Sequence, residues 1–182
     1  MRLPALENIS GKLGRTGDTS IAQKAPGRAA RTSKIMIARS VATTILRVGL
    51  GVLMIVTGAL KIGHAVELAS SIAAFRLLPA SAIAPVALAL PFFEIFVGLY
   101  LVLGLFTRWA AWIATMQFFL YGTAIASAVL RGLAVNCGCF GPQDRATADW
   151  PHVAFDFGLG LCAAFVAIYA PGFLALDRRI SP

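Results

Sequence analysis

The sequence predicts an all-α fold: a polytopic membrane protein built as an antiparallel four-helix transmembrane bundle with a short interfacial helix. Composition is the first observation. Of 182 residues, 58% are apolar and only 13% charged, against about 25% charged in a soluble domain, and the mean hydropathy is +0.79. A water-soluble globular enzyme is excluded on that ground. The second observation is four apolar stretches, each long enough at 1.5 Å per residue to cross a hydrocarbon core of about 30 Å. The third is the link Thr107-Arg108, so short that it forces the second and third stretches to be antiparallel neighbours.

Residues 1–34 are polar and basic, with Gly, Ser, Thr, Arg and Lys throughout, and lack the apolar core of a signal peptide. They read as a disordered basic cytoplasmic tail, or as an upstream extension of a frame that begins at Met36. The membrane domain is expected over 35–180. Its first span, 41–60, is interrupted only by Arg47. Residues 65–78 place Leu68, Ile72 and Phe75 on one helical face and Glu67, Ser70 and Ser71 elsewhere, the pattern of a short helix lying in the interface and closed by Pro79. The second span, 82–106, carries only Glu94; the third, 109–130, carries no charge; the fourth, 151–175, carries only Asp156. Gly49, Gly51, Gly58, Gly98, Gly158 and Gly160 are expected to let helices approach closely.

The formal charge of +8 does not point to nucleic acid, because eight of the sixteen basic residues fall within the first 39 positions. It is an asymmetry, and membrane lipid is the surface it suits. Counted outside the spans, eleven Lys and Arg lie on the side of the two termini and four on the other. Positive flanks stay in the cytoplasm, so both termini are expected there and the loop 131–150 on the periplasmic or extracellular side.

Three cysteines are too few for a disulfide-stapled scaffold or a four-thiolate zinc site. Cys137 and Cys139 flank a glycine in Asn-Cys-Gly-Cys-Phe-Gly-Pro, on the loop after the third span. A disulfide needs Cα atoms about 4.4–6.8 Å apart, which thiols two residues apart reach only in a bent, strained form, and strained disulfides are the labile ones. The pair suits thiol exchange on an oxidising face, with Arg131 and His152 near enough in sequence to favour a thiolate. A turn with two small buried thiols, or a fixed disulfide tying the loop, is the structural alternative. No metal is expected: the spacing is not that of a zinc knuckle even with His152 as a third ligand. Cys162, inside the fourth span, reads as a small packing residue.

These residues resemble a known family. Cys-Gly-Cys-Phe-Gly at 137–141, between a third and a fourth span, is similar to the motif of the methylamine utilisation protein MauE family and the wider DoxX-like group of small four-helix membrane proteins. Arg47, Gly58 and Lys61 in and after the first span, Leu-Pro-Phe-Phe-Glu at 90–94 and Asp156 agree with it. The resemblance covers about 40–175 and leaves out the basic tail. It implies a bacterial inner-membrane protein in periplasmic disulfide or redox chemistry. MauE is associated with maturation of the disulfide-rich small subunit of methylamine dehydrogenase beside a thioredoxin-like partner, and DoxX-like relatives are linked to quinone-coupled sulfur oxidation.

Ions inside the bilayer cost about 3 kcal/mol and normally find partners. Counted from the outer ends of their spans, Arg47, Glu94 and Gln117 should all lie roughly 18–20 Å deep by the helical rise. An Arg47–Glu94 ion pair with a hydrogen bond from Gln117 is therefore expected, either fixing helix register or flooring a quinone or proton site beneath the cysteine loop. Asp156, about 7.5 Å deep, is expected to pair with Lys61 or Arg131, or to exchange protons with the thiols. Lys61 is expected to snorkel to the outer interface. Pro91 frees the Ala87 carbonyl and is expected to kink the second span. Phe92, Phe93, Phe96, Phe118, Phe119 and Tyr121 either line the opened space or face lipid.

Three classes of function follow. The leading one is a thiol-disulfide redox protein that uses Cys137 and Cys139, with a thioredoxin-like protein or disulfide-containing client as partner; a membrane quinone is the candidate cofactor, and the electron acceptor and the direction of electron flow stay open. The others are a docking or assembly factor without redox turnover, and a small-molecule transporter.

Overall fold

The computed structural model describes residues 26–136, 147–170 and 175–177, with side chains from residue 33 onward. Among these residues there are five helices: α1 (Pro26–Lys61), α2 (Ala65–Ala74), α3 (Ala80–Leu103), α4 (Thr107–Leu130) and α5 (Trp150–Tyr169). No strand longer than an isolated bridge occurs among them. The chain falls into two units, 1–38 and 39–182. The described part of the first is the start of α1, which is helical from Pro26, inside the stretch read above as a tail. All contacts below belong to the second unit.

Four of the helices are long and apolar enough to span a membrane. Their burial pattern is the reverse of a soluble protein's. Val52, Leu88, Phe96, Trp109, Met116, Leu161 and Ile168 point outward, while Arg47, Lys61, Glu94, Gln117 and Asp156 are buried. A hydrocarbon surround explains both halves of that pattern, since it accepts apolar side chains and drives polar ones to seek partners inside. Helices α1, α3, α4 and α5 all contribute to one core, through Leu50 and Met54, Val97 and Leu101, Ala111 and Phe118, and Ala163 and Val166. Cys162 packs against this core as a small side chain. The chain is a multi-pass membrane protein.

Close approach of α1 and α3 is permitted by glycine. A Cβ on Gly58 would lie 2.7 Å from the Pro91 carbonyl oxygen, and one on Gly51 would lie 2.7 Å from that of Gly98. Both contacts give one antiparallel register. That register sets Leu60 about seven residues, or roughly 10 Å, away from the level of Ala82, so the outer ends of these two helices are not level. Gly160 receives the Phe119 ring, but Gly49 and Gly158 face open space, contrary to expectation. Helix α3 runs through Pro85 and Pro91 without interruption.

The ends of the helices are chemically marked. Gly104, at φ +70°, ends α3, with its N–H donated to the Tyr100 carbonyl. Helix α4 is capped from the far end of the chain: the Asp177 carboxylate accepts from the N–H groups of Phe106 (2.7 Å) and Thr107 (2.8 Å). Helix α5 opens on Asp149, whose side chain accepts from the His152 N–H, with Pro151 in the first turn. Arg131, at the end of α4, donates to the carbonyls of Ser127 and Phe75 and so ties α4 to the end of α2.

Candidate functional site

Lys61, the last residue of α1, is buried and points into the bundle. The register between α1 and α3 brings it to Glu94, with Nζ 2.7 Å from Oε1 and 2.8 Å from Oε2. Both side chains are only 2% exposed. From α4, Tyr121 donates its hydroxyl hydrogen to Glu94 Oε1 at 2.5 Å. Gln117, one turn earlier on the same face, donates from Nε2 to Glu94 Oε1 (3.2 Å) and to the Tyr121 hydroxyl oxygen (3.1 Å). Both carboxylate oxygens of Glu94 thus accept from a donor, which is how a carboxylate is held inside a membrane.

This arrangement corrects the expected Arg47–Glu94 pair. The expectation assumed level helix ends, and the register slip of α3 against α1 moves Glu94 toward the end of α1 and away from Arg47. Arg47 lies instead against the α3–α4 turn, where a side chain on Gly104 would collide with its Nη1, and it interacts with the charge of Asp177. Lys61 does not snorkel outward, because Glu94 takes its charge. Gln117 does bond to Glu94, as expected. Asp156 is 5% exposed on the α5 wall. It pairs with neither Lys61 nor Arg131, whose donors go to Glu94 and to backbone carbonyls respectively.

Two cavities flank the cluster. The larger, about 230 Å³, is walled by α2, α3 and α4 through Leu68, Ile72, Phe75, Leu90, Leu120 and Ile125, with Lys61, Ser71 and Tyr121 as its polar lining residues. The expected apolar face of α2 is therefore turned into it. Phe92, Phe93 and Phe96 point away from the bundle. The smaller cavity, about 30 Å³, lies among Glu94, Gln117, Tyr121, His152 and Asp156.

Cys137 and Cys139 lie outside the described residues. The base of their loop is described: Asn136 pairs with Thr147 in an antiparallel bridge, and the Ala148 N–H donates to the Val135 carbonyl at 2.9 Å. Three residues past the bridge α5 begins, with His152 Nδ1 2.5 Å from Asp149 Oδ1. The side-chain and backbone hydrogen bonds from His152 hold the Asp149 carboxyl below the ordinary carboxylate value. The Lys61–Glu94 cluster occupies the same half of the bundle, with Tyr121 nine residues, about 14 Å, from the end of α4.

Residues 39–170 match the family model described as "Methylamine utilisation protein MauE". The chain belongs to the MauE family. Within it, the chain is 34% identical over 137 residues to the methylamine utilization protein MauE of Methylorubrum extorquens, covering 75% of this chain and 74% of that one. It is 32% identical over 127 residues to the MauE of Paracoccus denitrificans, covering 69% and 68%. No solved structure matches. The matched segment of this MauE-family chain contains Cys137, Cys139, Lys61, Glu94, Gln117, Tyr121 and Asp156.

Tyr121 and Asp177 are the residues that sequence reasoning missed in their roles. Gln117 and Tyr121 stand four apart on α4, so their shared face was a usable signal for the first. Asp177 caps a helix that starts seventy residues earlier, and no local pattern announces such a cap.

Proposed function

We propose that this MauE-family protein serves methylamine utilisation as a membrane thiol-disulfide redox factor that supports maturation of an extracytoplasmic partner. The observation that carries the reading is the buried Lys61–Glu94–Tyr121–Gln117 cluster closing an apolar cavity in the half of the bundle that ends in the cysteine loop. Lys61 has three N–H donors, and two of them reach Glu94. In this reading the third meets an oxygen of the ligand in the cavity that Lys61 lines. The cavity exceeds the ~150 Å³ that accepts a benzene ring, and its wall is almost wholly aliphatic and aromatic. Those features fit a membrane quinone ring, with Lys61 holding a carbonyl oxygen and Phe75, Leu90 and Leu120 packing on the ring faces.

Oxidising Cys137 and Cys139 breaks two S–H bonds, forms one S–S bond and releases two electrons and two protons, which a quinone accepts on becoming a quinol. The chain's own part is to present the thiols on a loop closed at its base by the Asn136–Thr147 bridge and to exclude water from the cavity. In this reading both termini are cytoplasmic and the loop faces the periplasm of the bacterial inner membrane, where a thioredoxin-like protein or a disulfide-containing client meets it.

The test is thiol trapping in cells. Cys137→Ser and Cys139→Ser should each abolish growth on methylamine, and one of the two should accumulate a mixed disulfide with its partner that dithiothreitol releases. Full growth with both single variants would favour a docking factor and defeat the redox reading.

A further inference from the structure

Two residues that line the smaller cavity, Gln117 and Asp156, each carry a bare acceptor. Gln117 Oε1 and Asp156 Oδ2 are both buried and neither has a hydrogen-bond partner. The orientation of Gln117 is set by its neighbours. Tyr121 gives its one hydroxyl hydrogen to Glu94, so its oxygen must accept, and the Gln117 nitrogen is the donor that reaches it. The amide oxygen is thereby turned away from the cluster. A cavity of about 30 Å³ lined by these two residues holds one water and no organic ligand. One water brings two donors, which matches two bare acceptors.

The charges around the cavity are also unequal. Lys61 from α1 neutralises Glu94 from α3; α4 presents the neutral Gln117 and Tyr121; α5 presents Asp156 and His152, with Asp149 at its cap. Asp156 has no salt bridge among the described residues. An unmatched carboxylate in a membrane-spanning helix is unfavourable, and a proton is the smallest charge that matches it. A way in for that proton exists. His152 lines the cavity, its Nδ1 meets Asp149, and the two side chains are 26% and 48% exposed.

We infer that this cavity is a proton-binding site, in which one water donates to Gln117 Oε1 and Asp156 Oδ2 and Asp156 takes and releases a proton through His152 and Asp149. The site deepens the redox reading and takes its purpose from it, since forming or opening a disulfide against a quinone moves two protons.

Infrared difference spectroscopy of the full chain in lipid nanodiscs, recorded through a pH titration, tests it. A protonated-carboxyl C=O band should appear as the pH falls, and it should be lost in Asp156→Asn and displaced in Asp156→Glu. Gln117→Met should shift its frequency. Replacing choline chloride with sodium chloride should leave its midpoint unchanged. The displaced band in Asp156→Glu carries the assignment even if Asp156→Asn does not fold. A band that survives in Asp156→Asn, or that is in the same place in Asp156→Glu, overturns the site. An unmoved band in Gln117→Met overturns the water bridge, and a midpoint that falls with sodium makes the cavity a metal-cation site instead. The band should persist in the Cys137→Ser/Cys139→Ser double variant. That persistence supports the site even where trapping defeats the thiol reading, so the two can fail separately.

Discussion

Lys61 and Glu94 each depend on the other for burial. Removing one partner of a buried ion pair strands the other charge, at a cost of about 3–5 kcal/mol, whereas replacing both with apolar residues of similar size is often nearly neutral. Lys61→Met should therefore lower the thermal unfolding temperature in detergent sharply, and Lys61→Met/Glu94→Leu should recover most of it. If the cluster serves chemistry, the double variant regains stability without regaining methylamine-dependent growth; recovery of both would make the pair purely structural. The ionisable residues themselves were legible in the sequence, because a charge inside an apolar run stands out. Their partners were not. Depth counted from assumed span ends cannot see that Gly51, Gly58 and Gly98 set the register of α1 against α3, and a seven-residue slip exchanges Arg47 for Lys61. At the start of α5, the His152 hydrogen bonds hold Asp149 below its ordinary value of 3.8. The folded state thus binds that proton more weakly than the unfolded chain, so the cap's contribution is complete above the ordinary value and is lost as the pH falls through the lower, folded one. Amide exchange at the His152 N–H should show protection lost only below the ordinary carboxylate range, and Asp149→Asn should remove that pH dependence.

The contact between α1 and α3 leaves no room for a methyl group at the crossing. Gly58→Ala would place a Cβ 2.7 Å from the Pro91 carbonyl oxygen, a backbone atom that cannot swing aside, so the helices must part. A loss of about 1–3 kcal/mol is expected, measured as a lower midpoint in a thermal or denaturant series. Gly49→Ala, with nothing within 4 Å, should be neutral or slightly stabilising because alanine is the better helix former. The two variants differ by nine positions on one helix, and the sequence alone ranks them equally. Helix α4 poses a similar contrast. Phe106, at φ +46°, and Thr107 donate to Asp177, which both caps α4 and holds a backbone conformation that a non-glycine residue adopts at a cost. Asp177→Ala should destabilise by about 0.5–2 kcal/mol and raise amide exchange at Phe106 and Thr107 first. The four spans and α2 were readable from length and periodicity, since lipid demands about 20 apolar residues per crossing. Which residue caps α4 depends on where the chain returns after α5, and that is tertiary information.

On the scale of the whole molecule, one half of the bundle gathers the polar chemistry. The end of α1, the middle of α3, the second half of α4 and the first half of α5 contribute the Lys61–Glu94 cluster and both cavities, and the same half ends in the loop that carries Cys137 and Cys139. The thiol-redox reading requires that half to face an oxidising compartment. The measurement that tests it most directly is labelling of intact cells with a membrane-impermeant maleimide before and after mild reduction, scored on Cys137 and Cys139 with Cys162 replaced by alanine. Labelling that appears only after reduction is the expected result, placing an exposed disulfide on the outer face. Cysteines that label only once the membrane is opened would put the loop on the other side or out of reach, and the redox partnership proposed here would fall.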